Sequence, residues 1–263
     1  MAMAPFTEKH FKTVNLRCDE SGIAHVVFNR PDSRNALNYE MVQDIHSSLD
    51  LLLDEEDIRV IIFSGSGGKA FISGADISEL KDRKGEELLK RVNTNLLYKI
   101  EHFPCPTIAA INGYALGGGC ELAMACDLRV CGEEARLGQP EVGLGIIPGA
   151  GGTYRLPRLV GPGIAKELIF TGRIIDCVEA LSIGLVNQVA KDDEVYSTAY
   201  DLAMKIAKNS PVAVKFAKLS LNQQSEMSAE SNMLFESTAQ SILFDGEDKN
   251  RRMQAFLDRK KKG

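Results

Sequence analysis

Apolar positions fall along the chain in short runs separated by longer amphipathic stretches. Val14 to Leu16, Ile23 to Phe28, Arg59 to Phe63, Thr107 to Ile111, Asp127 to Cys131 and Leu185 to Val189 have the length and apolar content of strands. Between them, Asn38 to Leu53 sets Met41, Ile45, Leu49 and Leu52 on one helical face behind a cap-competent Asn38, and Glu86 to Ile100 is also helix-like. This alternation predicts an α/β fold. After Val189 the pattern turns helical: Glu194 to Lys208, Pro211 to Leu221 and Ala229 to Phe244, then a charged stretch from Asp245 to Lys261. The change places a soft boundary near residue 195. No low-complexity tract, Pro/Ser-rich linker or self-similarity strong enough to announce a solenoid interrupts the chain.

Composition sharpens this picture only slightly. The 263 residues carry 31 Lys plus Arg against 36 Asp plus Glu, a formal net charge of −5, which is not the basic footprint of a nucleic-acid binder. With 44% hydrophobic and 25% charged residues the chain is ordinary globular material, long enough for one large domain with an internal site. Residues 1–12 include Glu8 and lack the apolar run of a signal peptide or the Arg-rich character of a transit peptide, so a cytoplasmic location is expected. Thr107 to Cys126 is the most membrane-like window. Asn112, Glu121 and its glycines make it soluble core rather than a span. The six cysteines lack CxxC spacing and are expected to be reduced and structural.

Several chemistries drop out on residue spacing. His10, His25, His46 and His102 form no HExxH or Cys/His cluster, so no metal site is expected. No Gly-x-Ser-x-Gly elbow occurs, Gly65-Ser-Gly-Gly-Lys-Ala fails the P-loop pattern, and no complete GxGxxG fingerprint sits at a strand-to-helix junction. Carboxylate and backbone chemistry remain. Two segments carry it: Ile111 to Ala123, where a Gly triplet leads into an apolar helix with Glu121 in its first turn, and Leu137 to Thr153, where Pro140 precedes Glu141 and Gly149, Gly151 and Gly152 open another helix start. Exposed N–H groups and the positive end of a helix dipole give each an oxygen-friendly surface.

Read singly, these features have plainer explanations. The Gly triplet could serve close packing, Glu121 could complement a helix dipole, Glu141 could be a solvated loop carboxylate, and Ala75 a small packing residue. Their joint occurrence points elsewhere. Asn29-Arg-Pro with Asn35-Ala-Leu, Phe71-Ile-Ser-Gly-Ala-Asp, Asn112-Gly-Tyr-Ala-Leu-Gly-Gly-Gly-Cys-Glu, Gly138-Gln-Pro-Glu, Ile147-Pro-Gly-Ala-Gly-Gly-Thr and Ala180 to Gln188 follow one another along the chain. In these stretches the sequence closely resembles the enoyl-CoA hydratase/isomerase (crotonase) superfamily, and within it the enoyl-CoA hydratases.

The resemblance implies a crotonase-like spiral of ββα units in two nearly perpendicular sheets, residues 1–195, followed by a helical C-terminal oligomerisation region, residues 196–263, that builds a homotrimer or homohexamer. It implies an acyl-CoA thioester substrate and no separate cofactor, coenzyme A being part of the substrate. Carried over residue by residue, the N–H groups of Ala75 and Gly118 form an oxyanion hole, and Glu121 and Glu141 face the acyl Cα–Cβ bond, with Glu121 assigned as base. Ser73, Gly74, Ala75, Asp76, Ile77, Gly117, Gly118, Gly149 and Phe256 are the expected substrate-binding residues, with Lys69, Arg34 and Arg259 as further candidates for coenzyme A. Ser78 stands where many relatives have Lys, and Tyr154 where Gln is frequent. The expected reaction is reversible hydration of a 2-trans-enoyl-CoA to the 3-hydroxyacyl-CoA in fatty acid metabolism. Double-bond isomerisation is the nearest alternative. An RNA-binding role, suggested by Arg251-Arg252 and Lys260-Lys261-Lys262, is the alternative of a different class, and a solvated helix face accounts for those charges more simply.

Overall fold

The computed structural model describes residues 8–223 and 227–260; the expectations for residues 1–7, and for Lys261 and Lys262, lie outside the described residues. The chain divides into two compact units, one ending at Ile206 and the other beginning at Ala207.

The first unit is organised by two sheets. The larger runs in the order β1 (Lys9–His10), β2 (Val14–Cys18), β3 (Ile23–Phe28), β4 (Val60–Gly65), β6 (Thr107–Ile111), β8 (Leu128–Gly132) and β11 (Gln188–Ala190). Its first two pairings are antiparallel and the rest parallel. Every residue of β6 is buried, the mark of a central parallel strand covered on both faces. The smaller sheet is β10 (Ile174–Asp176), β9 (Arg136–Gly138), β7 (Tyr114–Leu116) and β5 (Ala70–Ile72), with β5, β7 and β9 mutually parallel. In β4–β5, β6–β7 and β8–β9 a strand of the large sheet is followed by a strand of the small one and then by helix. That is the spiral of ββα units expected from the resemblance. Where β3, β4 and β5 meet, Phe28 stacks on Phe63 at 6.1 Å and meets Phe71 edge-on at 5.2 Å.

Helix α1 (Tyr39–Leu53) forms as its sequence dictates. Asn38 Oδ1 accepts from the Met41 N–H at 3.0 Å, and Met41, Ile45, Leu49 and Leu52 are all buried. The expected helix from Glu86 to Ile100 is broken instead. Helix α2 (Ile77–Asp82) is followed by a single turn, α3 (Gly85–Leu88), and by α4 (Val92–Glu101), because Arg91 takes a left-handed conformation with φ 53°. The expected strand from Leu185 to Val189 is likewise shortened to its last residues in β11, since Leu185 and Val186 N–H groups turn back onto Ala180 O.

Apart from Glu121, helix α5 (Gly118–Ala125) is apolar, and it is almost wholly buried, so its first turn is fixed by packing. A 3₁₀ turn, Pro140–Leu144, leads towards α6 (Gly152–Val160), α7 (Pro162–Thr171) and α8 (Cys177–Ser182). Helix α9 (Val195–Ala207) lies beyond the expected boundary at 195, yet the first unit reaches Ile206. Its Val195, Ala199 and Ala203 are buried, Tyr196 stacks on His25 at 4.3 Å, and Tyr200 donates to Asp19 Oδ2 at 2.7 Å.

The second unit contains α10 (Pro211–Gln223), α11 (Ala229–Asp245) and α12 (Glu247–Lys260). Ser228 caps α11 through the Ser231 N–H, and Phe216 meets Phe235 edge-on at 6.4 Å. Met233, Leu234, Phe244, Phe256 and Leu257 are exposed. Among the described residues no helix is long and apolar enough to cross a membrane.

Candidate active site

The site is built where β7 turns into α5. Gly117 occupies the turn with φ 51° and ψ −122°, a conformation closed to other residues, and a Cβ there would stand 3.1 Å from Glu141 Oε1. Gly119 answers a different need: a Cβ there would stand 2.1 Å from Ile72 O, so this glycine lets α5 lie against β5. The triplet therefore serves both packing and a close approach to a carboxyl group. Gly118, the first residue of α5, has an N–H that no helix carbonyl can accept.

Ala75 comes alongside. It forms a single parallel bridge with Leu37, in which Leu37 N–H donates to Gly74 O at 2.8 Å and Asp76 N–H to Leu37 O at 3.0 Å. Its own N–H is left over, and a Cβ on Gly118 would stand 3.9 Å from it. Among the described residues neither the Ala75 nor the Gly118 N–H donates to a protein acceptor.

Glu121, in the first turn of α5, is 3% exposed. Its Oε1 accepts from the Ala150 N–H and the Gly152 N–H, both at 2.8 Å. The glycine turn at 149–152 thus supplies its N–H groups to a carboxylate of the protein itself, at the start of α6. Burial raises the Glu121 pKa, while the two N–H groups and the Arg155 charge oppose that rise. Glu141, in the 3₁₀ turn after Pro140, is also buried, and its Oε2 has no partner among the described residues. Burial first, and then the negative charge of Glu121, push its carboxyl up to about 7. The two carboxyls titrate as a pair, and the hydrogen bonds to Glu121 favour its ionised form.

This arrangement has a consequence for stability. A glutamate ordinarily near 4.5 that rises to about 7 on folding loses its proton first in the unfolded chain. Stability therefore falls as pH rises from about 4.5 to about 7 and stays lower above it. Glu141→Gln removes that loss, so its melting temperature relative to the unmodified protein is expected to be higher at pH 8 than at pH 5. Equal differences at the two pH values would show that Glu141 is an ordinary exposed carboxylate.

The other expected binding residues divide. Ser73 N–H donates to Arg34 O at 3.2 Å, and Gly74 has φ 129°. Asp76 is committed within the protein: it accepts from Ser78 N–H and Ser78 Oγ, capping α2, and from Arg30 at 3.1 Å, so its side chain faces its own chain and only its backbone remains for a ligand. Ile77 is exposed at the start of α2, and Gly149 O accepts from Thr94 Oγ1 at 3.2 Å. Arg34 lies over the ring of Tyr114 at 5.9 Å, and Lys69 O accepts from Tyr114 N–H. Tyr154 packs between Arg155 and Arg158, at 4.7 and 5.5 Å from its ring. Phe256 and Arg259 are exposed on α12 of the second unit. Arg251 and Arg252 both pair with Asp248, which lowers their availability to a nucleic-acid backbone. No group of three or more His, Cys, Asp and Glu able to hold a metal occurs among the described residues.

Two residues at the site escaped the sequence reading. Gln139 is buried, donates through Nε2 to Gly117 O at 3.2 Å, and fixes the turn from the side of Glu141. Arg155 is 3% exposed and donates to Ala150 O at 2.9 Å. Gln139 lies within the Gly138-Gln-Pro-Glu motif; Arg155 has no signal beyond being a charge on the apolar face of α6.

The profile of the enoyl-CoA hydratase/isomerase family matches residues 19–263. A short-chain-enoyl-CoA hydratase of Clostridium acetobutylicum is 44% identical over 244 residues, 92% of this chain and 94% of its own length. A crotonyl-CoA hydratase of Syntrophomonas wolfei is 40% identical with the same coverage. Among solved structures, an enoyl-CoA hydratase from Bacillus anthracis superposes with a TM-score of 0.91 at 37% identity, covering 94% of this chain and 97% of that one.

Proposed function

Because the chain belongs to the enoyl-CoA hydratase/isomerase family, we propose that it is an enoyl-CoA hydratase, adding water reversibly to a 2-trans-enoyl-CoA to give the 3-hydroxyacyl-CoA. The observation that carries this reading is the pair of buried carboxyls, Glu121 and Glu141, beside two unclaimed N–H groups. The Ala75 and Gly118 N–H groups serve as an oxyanion hole: as oxygen attacks Cβ, negative charge moves to the thioester oxygen, and two fixed donors oppose it. Glu121, whose ionised form the Ala150 and Gly152 N–H groups favour, takes one proton from water as its oxygen bonds to Cβ. Glu141, whose carboxyl burial pushes up to about 7 so that a large fraction stays protonated at neutral pH, gives its proton to Cα. The new alcohol keeps the second water proton, and a proton passing from Glu121 back to Glu141 resets the pair. Oxidation and reduction balance within the substrate, so the reaction needs no redox cofactor, and coenzyme A enters as part of the substrate.

Ser73 to Ile77, Gly117, Gly118 and Gly149 are assigned to substrate binding on the family resemblance, and Phe256 to a contact from the helical region. A homotrimer or homohexamer is the proposed assembly, supported by the exposed apolar side chains of α11 and α12. The six cysteines are free thiols, in keeping with the cytoplasm as the proposed compartment, and fatty acyl-CoA metabolism is proposed as the setting on the family membership. The test is a kinetic panel of short, long, branched and hydroxylated enoyl-CoAs with hydration and isomerisation products separated. Turnover to the 3-hydroxyacyl product on at least one member supports the reading; double-bond migration alone across the panel replaces it with an isomerase.

A further inference from the structure

Behind the two glutamates lies an ion pair that the mechanism does not use directly. Arg155, on the first full turn of α6, is buried, and its fork is fully directed: Nε and Nη2 donate to Glu101 Oε2 at 3.1 and 2.6 Å, and Nη1 donates to Ala150 O at 2.9 Å. Ala150 is the same residue whose N–H donates to Glu121. One peptide segment is therefore gripped from behind through its carbonyl and delivers its N–H forward to the carboxylate. Glu101 is the last residue of α4, and the same helix reaches the glycine turn a second time through Thr94 Oγ1 and Gly149 O. Helix α4 thus holds the turn at two points, Gly149 O directly and Ala150 O through Arg155.

We propose that Arg155, anchored by Glu101, is a positioning residue for Glu121: it holds the Ala150–Gly152 turn so that both N–H groups stay aimed at Glu121 Oε1. The proposal rests on the reading of Glu121 as the base. Arg155 touches no reacting atom, and its action is through the turn and through its charge. A lone hydrogen bond from a flexible glycine turn would wander, whereas a guanidinium bound on three sides has little freedom left.

The charged and titratable groups around Glu121 fix the direction of the effect. Glu141 faces it from the 3₁₀ turn, Arg155 and Tyr154 from α6, and Cys120 from its own helix. Glu101 reaches it from α4 through Arg155. Behind α5, β5 carries no titratable side chain and β7 only the exposed Tyr114. Arg129, from β8, binds the far end of α5 through Ala123 O and Cys126 O, and Arg155 is the cation whose charge acts on Glu121. Its removal therefore favours the protonated form of Glu121 and moves the acidic limb of kcat/KM to higher pH.

Three variants separate charge from position. Arg155→Met is expected to lower kcat at least about tenfold with KM nearly unchanged, and to shift the acidic limb upward. Arg155→Lys keeps the charge without the fork, so the limb should stay near its original place while kcat recovers only in part. Glu101→Gln keeps the guanidinium but loosens its anchor, lowering kcat with no upward shift. A titration of the Glu121 carboxyl by ¹³C NMR, assigned through Glu121→Gln, reads the same shift without turnover. If the unmodified protein hydrates nothing, the functional reading fails, and the NMR titration still decides this one. Unchanged kcat and an unmoved limb in Arg155→Met overturn the proposal; should that variant not fold, wild-type kcat in both Arg155→Lys and Glu101→Gln overturns it equally.

Discussion

Glu121→Gln and Glu141→Gln are each expected to fold and to lower hydration by about 10²–10⁴-fold, the usual scale for loss of a general acid or base. The amide preserves the shape of each side chain but exchanges no proton. At position 121, Gln can still accept from the Ala150 and Gly152 N–H groups through its carbonyl oxygen, so the cradle survives while the base is lost. At position 141, the neutral amide suits a site where burial already pushes the carboxyl up to about 7. Both variants should therefore keep native circular dichroism and thioester binding. Near-normal turnover in either folded variant would remove that residue from the mechanism.

Gly118→Pro tests the other half of the site. Gly118 is the first residue of α5, the one helix position where proline is well tolerated, because the N–H it deletes has no helix partner. The nearest atom to an added Cβ is Leu37 Cδ2 at 3.8 Å, an ordinary contact. The substitution removes one proposed oxyanion donor and sets the ring Cδ where its hydrogen pointed, and turnover is expected to fall by at least about 10²–10³-fold. A crystal structure with a thioester analogue checks the geometry. A carbonyl oxygen bound away from both Ala75 and Gly118 would contradict the assignment.

The large sheet and the helices were legible in the sequence to the extent that they are long. Strands such as β3 and β6 are runs of mostly apolar residues, and α1 announces its start with Asn38 and its buried face with Met41, Ile45, Leu49 and Leu52. The small sheet was not. Its strands β5, β7, β9 and β10 are each three residues long, too short to show a period, and their pairing is set by the spiral rather than by local sequence. The break at Arg91 was hidden for the opposite reason: arginine is a good helix former, and nothing local announces the positive φ it takes before α4. At the site, motif order located Glu121 and Glu141, and both are buried. What the motifs could not tell is which oxygen the second glycine turn serves. Its N–H groups bind Glu121, and the grip of Arg155 on that turn joins residues from α4 and α6 that no local pattern connects.

The central claim is that the two carboxyls add the oxygen of water to Cβ rather than shuttle one proton along the acyl chain. Incubating the protein with 2-trans-enoyl-CoA in ¹⁸O-labelled water and analysing the thioesters by mass spectrometry tests it directly. The account predicts a 3-hydroxyacyl-CoA that carries the label, with incorporation suppressed in both Glu121→Gln and Glu141→Gln. Efficient conversion of 3-enoyl to 2-enoyl thioester with negligible labelled alcohol would contradict it.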